Sequence, residues 1–180
     1  MLFQQIPRAR GALYHFIMSI LPERIASIAE SKIGIRETGG ANKGAALAEF
    51  FAADDYRPSP DHGYAWCAAF VCSIVQLSMD GRQWTFERPR SAGAWRFEDW
   101  SLAQDASTWT KKNPGLDIKR GDLVIFKISH IGIAVSDADA NGRFECCEGN
   151  TNKAGSREGD GVYRKTRKTA DIRSRIRFRV

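Results

Sequence analysis

Tyr64-Ala65-Trp66-Cys67-Ala68-Ala69-Phe70-Val71 sets a cysteine where an apolar, helix-like pattern begins. Phe70, Val71, Ile74, Val75 and Leu77 recur at helical spacing, which puts Cys67 in the first turn, near the positive end of the helix dipole. A thiol so placed ionises more readily, and the thiolate is the nucleophile. The competing reading is a buried small hydrophobe, the ordinary state of a free cysteine. Two later segments favour chemistry.

The first runs Lys119-Arg120-Gly121-Asp122-Leu123-Val124-Ile125-Phe126, then Ser129-His130-Ile131-Gly132-Ile133-Ala134-Val135. Both halves read as buried strands joined by a tight turn around residues 127–129. Alternation puts His130, Gly132 and Ala134 on one face and Ile131, Ile133 and Val135 on the other. The His130 face carries little bulk besides the imidazole, so it is expected to admit a helix terminus, as a Cys–His pair requires. The second segment is Phe144-Glu145-Cys146-Cys147-Glu148-Gly149-Asn150. Glu148 and Asn150 fall two apart on a strand end, and either can accept the second ring N–H of His130 and fix its tautomer. Gly149-Asn150 also suits a simple turn.

These residues resemble the CHAP family, the cysteine, histidine-dependent amidohydrolases/peptidases, a branch of papain-like enzymes that cut amide bonds in bacterial cell walls. The resemblance rests on the aromatic-Trp-Cys-Ala-Ala-Phe-Val helix, the Gly-Asp strand followed by His-Ile-Gly, and Glu-Gly-Asn, in that order. It extends from about Arg24 to the end and takes in Gly34-Ile35-Arg36-Glu37-Thr38-Gly39-Gly40 and Arg90-Ser91-Ala92-Gly93-Ala94-Trp95. It implies Cys67 as nucleophile, His130 as base, Glu148 as third member and Asn150 as polar helper. Tyr64, Trp66 and Trp95 are the candidate substrate-binding aromatics. Relatives that bind calcium do so in a carboxylate-rich loop, for which Asp54, Asp55 and Asp61 could supply oxygens here. A proline-containing surface connection is the simpler reading of that loop, and no cofactor is otherwise expected.

At 180 residues, 43% hydrophobic and 27% charged, the chain suits one soluble domain with a real core. The expected division is a leading helix or extension over 1–22 and a catalytic domain over 23–180. The expected fold is α+β and papain-like, with N-terminal helices packed on an antiparallel sheet and the cysteine at a helix N-terminus. Strands are expected at 123–127, 130–136, 143–147, 161–165 and 172–180, and the segment from Trp84 to Trp109 as a helix plus irregular loop. Adjacent Cys146 and Cys147, with Cys72 five residues beyond Cys67, do not form a disulfide pattern. Zinc held by these four cysteines and His130 lacks the usual paired spacing, so no metal is assigned and Cys72, Cys146 and Cys147 are read as core.

The apolar stretch from Ala12 to Leu21 is too short to span a bilayer and makes a poor signal-peptide core. The expectation is therefore cytoplasmic synthesis without a clear signal peptide, with action in the wall or periplasm after release or injection, and a monomer. Residues 161–180 carry eight basic residues against Asp171, a net of +7 where the whole chain is +6. Arg173, Arg175, Arg177 and Arg179 alternate with Ile172, Ser174, Ile176, Phe178 and Val180, giving a strand with a basic face. That face is either solvated or a surface for anionic envelope polymer. Nucleic acid is not expected, since no recognition element accompanies the charge.

The function so implied is a peptidoglycan hydrolase, a cysteine amidase or endopeptidase of a phage lysin or an injected antibacterial effector. The alternatives are a catalytically silent phage structural or adaptor protein of the same fold, and a papain-like effector acting on a non-wall amide.

Overall fold

Periodicity sets the first helix: Leu21, Ile25, Ala26 and Ala29 turn one stripe of Ile20–Ser31 (α1) into the interior. The computed structural model describes residues 20–56, 63–104 and 107–179. A short 3-10 turn, Ala45–Leu47, leads into Ala48–Ala53 (α2), then come Cys67–Met79 (α3) and Arg96–Leu102 (α4). The strands are Thr108–Lys112 (β1), Leu123–Phe126 (β2), His130–Ala134 (β3), Arg143–Thr151 (β4), Gly161–Lys168 (β5) and Ile172–Phe178 (β6). They form one six-stranded sheet in the order β1-β6-β2-β3-β4-β5, with antiparallel neighbours throughout. The fold is α+β, as expected. The expected boundary after residue 22 falls inside α1, and the expected leading helix lies, up to residue 19, outside the described residues.

The main core fills the space between helices and one sheet face. Leu21, Ile25, Phe50, Phe70, Ile74 and Phe97 meet Leu123, Ile125, Ile131, Ile133, Cys147 and Ile176 there. α3 lies deepest, buried on nearly every side, which suits its apolar composition. A smaller cluster on the opposite face holds Ile118, Val124, Phe126, Ala134, Phe144, Cys146 and Ile172.

This layering corrects one expectation. The body of α3 packs on the Ile131–Ile133 face of β3, and Gly132 and Ala134 look the other way, while the first turn of the helix still reaches His130. A Cβ at Gly132 would meet Cys146 Sγ at 2.6 Å and Glu148 Cγ at 2.7 Å, so its missing side chain makes room for Glu148, not for the helix. The glycine the helix needs is Gly149, where a Cβ would meet Phe70 and Trp66 at 2.7 Å.

Two further differences concern strands. β1 was not expected, since Thr108–Lys112 carries two lysines and little apolar pattern; it is an edge strand held by pairing with β6. β4 and β5 also run past their expected ends, to Thr151 and Lys168.

The basic face of β6 is the larger correction. Arg175 is buried, with its guanidinium 2.8 Å from Asp117 and bonded to the Trp109 carbonyl. Arg177 holds Asp122 through two 2.8 Å bonds, and Arg173 holds Glu98 at 2.9 Å. Asp117 is held well below the usual carboxylate range: burial opposes its charge, but Arg175, Lys111 and Arg177 outweigh it. Three of the four arginines are thus paired with carboxylates of this chain, which leaves less unpaired charge on this strand than its sequence suggests. Arg179 is exposed and lies over the Trp109 ring, 4.5 Å from its centroid.

Candidate active site

Cys67 opens α3 after Trp66, and Trp66 supplies no side-chain cap. The first-turn N–H groups therefore keep their donor capacity toward the site. Cys67 is 6% exposed; Cys72, Cys146 and Cys147 are wholly buried. Burial pushes the Cys72 and Cys147 thiols up to about 12 and that of Cys146 well above its ordinary value. Three of the four cysteines are therefore inert thiols at neutral pH.

His130 begins β3 just after the β2–β3 turn, where Ser129 takes a left-handed conformation with φ 54°. Phe126 pairs with His130 across that hairpin, and its ring lies 5.8 Å from the imidazole. Nε2 of His130 lies 3.0 Å from Glu148 Oε2, with both side chains fully buried. That contact leaves Nδ1 as the nitrogen open to Cys67. Nδ1 is buried and has no hydrogen bond of ordinary geometry. Even so, the Cys67 sulfur acts on the ring: burial works to lower the imidazole pKa, but Cys67 and then Glu148 outweigh it and raise it to about 9.

Glu148 is the acceptor, and Asn150 is not. A register shift between Glu148 and Thr151 breaks the alternation of β4, and Asn150 takes φ 55°, so the two do not share a face as a regular strand would have them. Asn150 is buried, with neither amide atom bonded among the described residues. It borders a cavity of about 670 Å³ whose wall also includes Ala65, Glu37, Lys153, Asp160 and Tyr163. Ala65 stands two residues before Cys67 in the chain, but neither Cys67 nor His130 lines this cavity.

Sequence reasoning missed Arg167. Its Nε donates to Glu148 Oε1 at 2.7 Å and its Nη2 to Oε2 at 2.6 Å. Burial disfavours the Glu148 charge, but Arg167 and then His130 reverse this and hold the carboxyl below its ordinary value. The available signal was the basic run of β5 beside a strand carrying a carboxylate that alternation turns inward.

The candidate aromatics divide. Trp66 is fully buried, stacked on Phe50 and donating its indole N–H to Glu37 Oε1 at 2.8 Å, so it presents no surface to a ligand. Tyr64 is half-buried between Phe51 and Tyr56, and its hydroxyl donates to Asp54 Oδ2 at 2.6 Å. Trp95 is 43% exposed, and its indole N–H donates to the Phe126 carbonyl, one residue contact away from His130.

The acidic loop does not gather a cation cage among the described residues. Asp54 is buried and accepts from the Tyr56 N–H and the Tyr64 hydroxyl, while Asp55 is exposed beside Arg90. Asp61 lies outside the described residues. Among the described residues no three His, Cys, Asp or Glu side chains cluster as metal ligands, the cysteines and His130 included. No helix among them is long and apolar enough to cross a membrane.

Comparison with known proteins leaves the fold as the shared feature. No protein-family model matches the sequence, and no curated protein matches it. Among solved structures the chain is similar to the wild-type endolysin LysIME-EF1, with a TM-score of 0.55 and 18% identity over 88% of this chain. The match spans 64% of that endolysin's chain. At this identity the likeness is one of fold, and the α+β architecture around Cys67 is of the kind found in that endolysin.

Proposed function

We propose that this chain is a peptidoglycan hydrolase, a cysteine amidase or endopeptidase that cuts a wall amide through a thioester. The observation that carries the reading is the Cys67–His130–Glu148 grouping, with the one thiol of the four that is not fully sealed set beside an imidazole raised to about 9. The fold likeness to an endolysin supports the choice of substrate.

The reactive form carries the ring proton on His130 and the attacking electron pair on Cys67 Sγ. Glu148 Oε2 accepts the Nε2–H and holds the ring so that Nδ1 faces the sulfur. Cys67 Sγ attacks the scissile carbonyl carbon and a C–S bond forms. The developing oxyanion is met by first-turn N–H groups of α3, including that of Cys67, which have no side-chain cap to satisfy them. His130 gives its proton to the nitrogen as the C–N bond breaks and the amine leaves. Water, deprotonated by the now neutral His130, attacks the thioester; the C–S bond breaks and the acid departs, restoring the ion pair. The cavity beside Ala65 and Asn150 is the natural seat for the substrate chain, and exposed Trp95 a second contact. A silent scaffold has no use for a buried carboxylate–imidazole pair that is costly to assemble.

Purified peptidoglycan digested with wild type and with Cys67→Ala, followed by mass analysis of the soluble products, tests this. The wild type is expected to release fragments from one bond type and the variant none, at an unchanged melting temperature. No release by the folded wild type, or equal release by both proteins, contradicts it.

A further inference from the structure

Glu148 is surrounded by groups that could set its orientation and charge. His130 faces it from β3, with Cys67 of α3 beyond. Cys146 and Cys147 flank it on β4, and Arg167 approaches from β5, with Asp171 of the following turn acting on Arg167 in its turn. Among these only Arg167 bonds both carboxylate oxygens.

The placement of Arg167 is unusually constrained for a residue on an edge strand. It pairs with Phe144 across β4, on the same face as Cys146 and Glu148, and must reach along that face to the carboxylate. Its guanidinium lies 5.0 Å from the centre of the Phe126 ring, and that same ring lies against His130. Its Nη2 also donates to the Gly155 carbonyl, in the loop whose Asn152, Lys153 and Ala154 line the cavity that Asn150 borders. Its side chain is only 16% exposed. A guanidinium fork matches a carboxylate in one plane, which a lysine ammonium cannot do.

We infer that Arg167 is the positioning residue of Glu148: its fork fixes the carboxylate plane so that Oε2 stays on His130 Nε2. The inference rests on the function proposed above for the role of His130, and goes beyond it in naming what holds the third member. Two consequences follow from the geometry. Without the fork the carboxylate can rotate away from the ring. Without the positive charge a fully buried carboxyl also becomes harder to ionise, and a protonated carboxyl no longer stabilises the imidazolium that sustains the Cys67 thiolate.

The test compares wild type, Arg167→Gln and Arg167→Lys in two readouts across pH: release of soluble fragments from purified peptidoglycan, and the rate of Cys67 alkylation by iodoacetamide read by mass spectrometry. Arg167→Gln is expected to lower turnover by roughly 10–100-fold, the scale seen where a group that orients a metal-site ligand through one intermediate is removed. KM should change little, and the acid limb of both profiles should move to higher pH. Arg167→Lys keeps the charge, so its acid limb should stay near that of wild type while turnover falls through loss of the fork. A folded Arg167→Gln with both acid limbs unmoved overturns the inference. If that variant does not fold, Arg167→Lys decides: undiminished turnover and alkylation overturn the inference, and a fall in both with the limb in place supports it. Wild type that releases no wall fragments, while its alkylation limb still moves on substitution, sinks the wall-hydrolase reading and leaves the positioning role standing.

Discussion

Two arginine–carboxylate networks are buried on this sheet, and they differ in one respect. Around β6, Arg175 and Arg177 share Asp117 and Asp122, and their remaining N–H groups reach the carbonyls of Trp109 and Asp117. That network is closed on itself. Around Glu148, Arg167 and His130 saturate the carboxylate, but the chain of bonds stops at His130 Nδ1, which has no conventional partner and looks toward Cys67. The same chemistry, a carboxylate held by guanidinium, staples a sheet in one place and leaves an unpaired ring nitrogen in the other. Burial and ion pairing alone therefore do not single out a site; what sets the Glu148 network apart is that its chain of bonds ends on an imidazole nitrogen beside a thiol.

The comparison breaks most sharply in stability. Arg175→Met removes one partner of the closed network while Arg177 and Lys111 still hold Asp117 and Asp122, so the lost charged hydrogen bonds are expected to cost about 1–3 kcal/mol. Denaturant unfolding measures this, and turnover per folded molecule should be close to that of wild type. A loss well under 1 kcal/mol would mean that β6 is held by its apolar residues alone.

A smaller effect, in pH, separates the two networks further. The open network holds an imidazole raised to about 9, and the closed one holds only carboxylates and basic side chains. If His130 must be protonated to give its proton to the leaving amine, turnover should hold through neutral pH and decline as pH rises through about 9, where the raised imidazole loses its proton. The pH profile of kcat/KM checks this. Activity that still climbs through that range would make neutral imidazole the working form.

Much of this was legible locally. The helix opened by Cys67 announced itself by its apolar spacing, the β2–β3 hairpin by β-branched runs around a turn, His130 by its place at a strand start and Glu148 by its place two residues from Asn150 on an expected strand. What escaped depends on pairs far apart in the chain. Arg167 meets Glu148, and Arg175 meets Asp117, only because the sheet order brings their strands or loops together, and neither partner marks the other in sequence. The face-by-face reading of β3 was right about alternation. Yet which face meets the helix is set by Phe70 and Trp66 fitting over Gly149, a long-range match that local alternation does not show. Asn150 escaped for a local reason: one left-handed residue past a register shift cancels the period-two rule.

The central claim is that Cys67 alone among the four cysteines is the nucleophile, and residue-resolved alkylation of the folded protein with limiting iodoacetamide at neutral pH tests it most directly. The account predicts that Cys67 is modified first, with wall turnover lost in proportion, while Cys72, Cys146 and Cys147 stay protected until the protein unfolds. Labelling of any of those three ahead of Cys67, or full labelling of Cys67 with turnover intact, would contradict it.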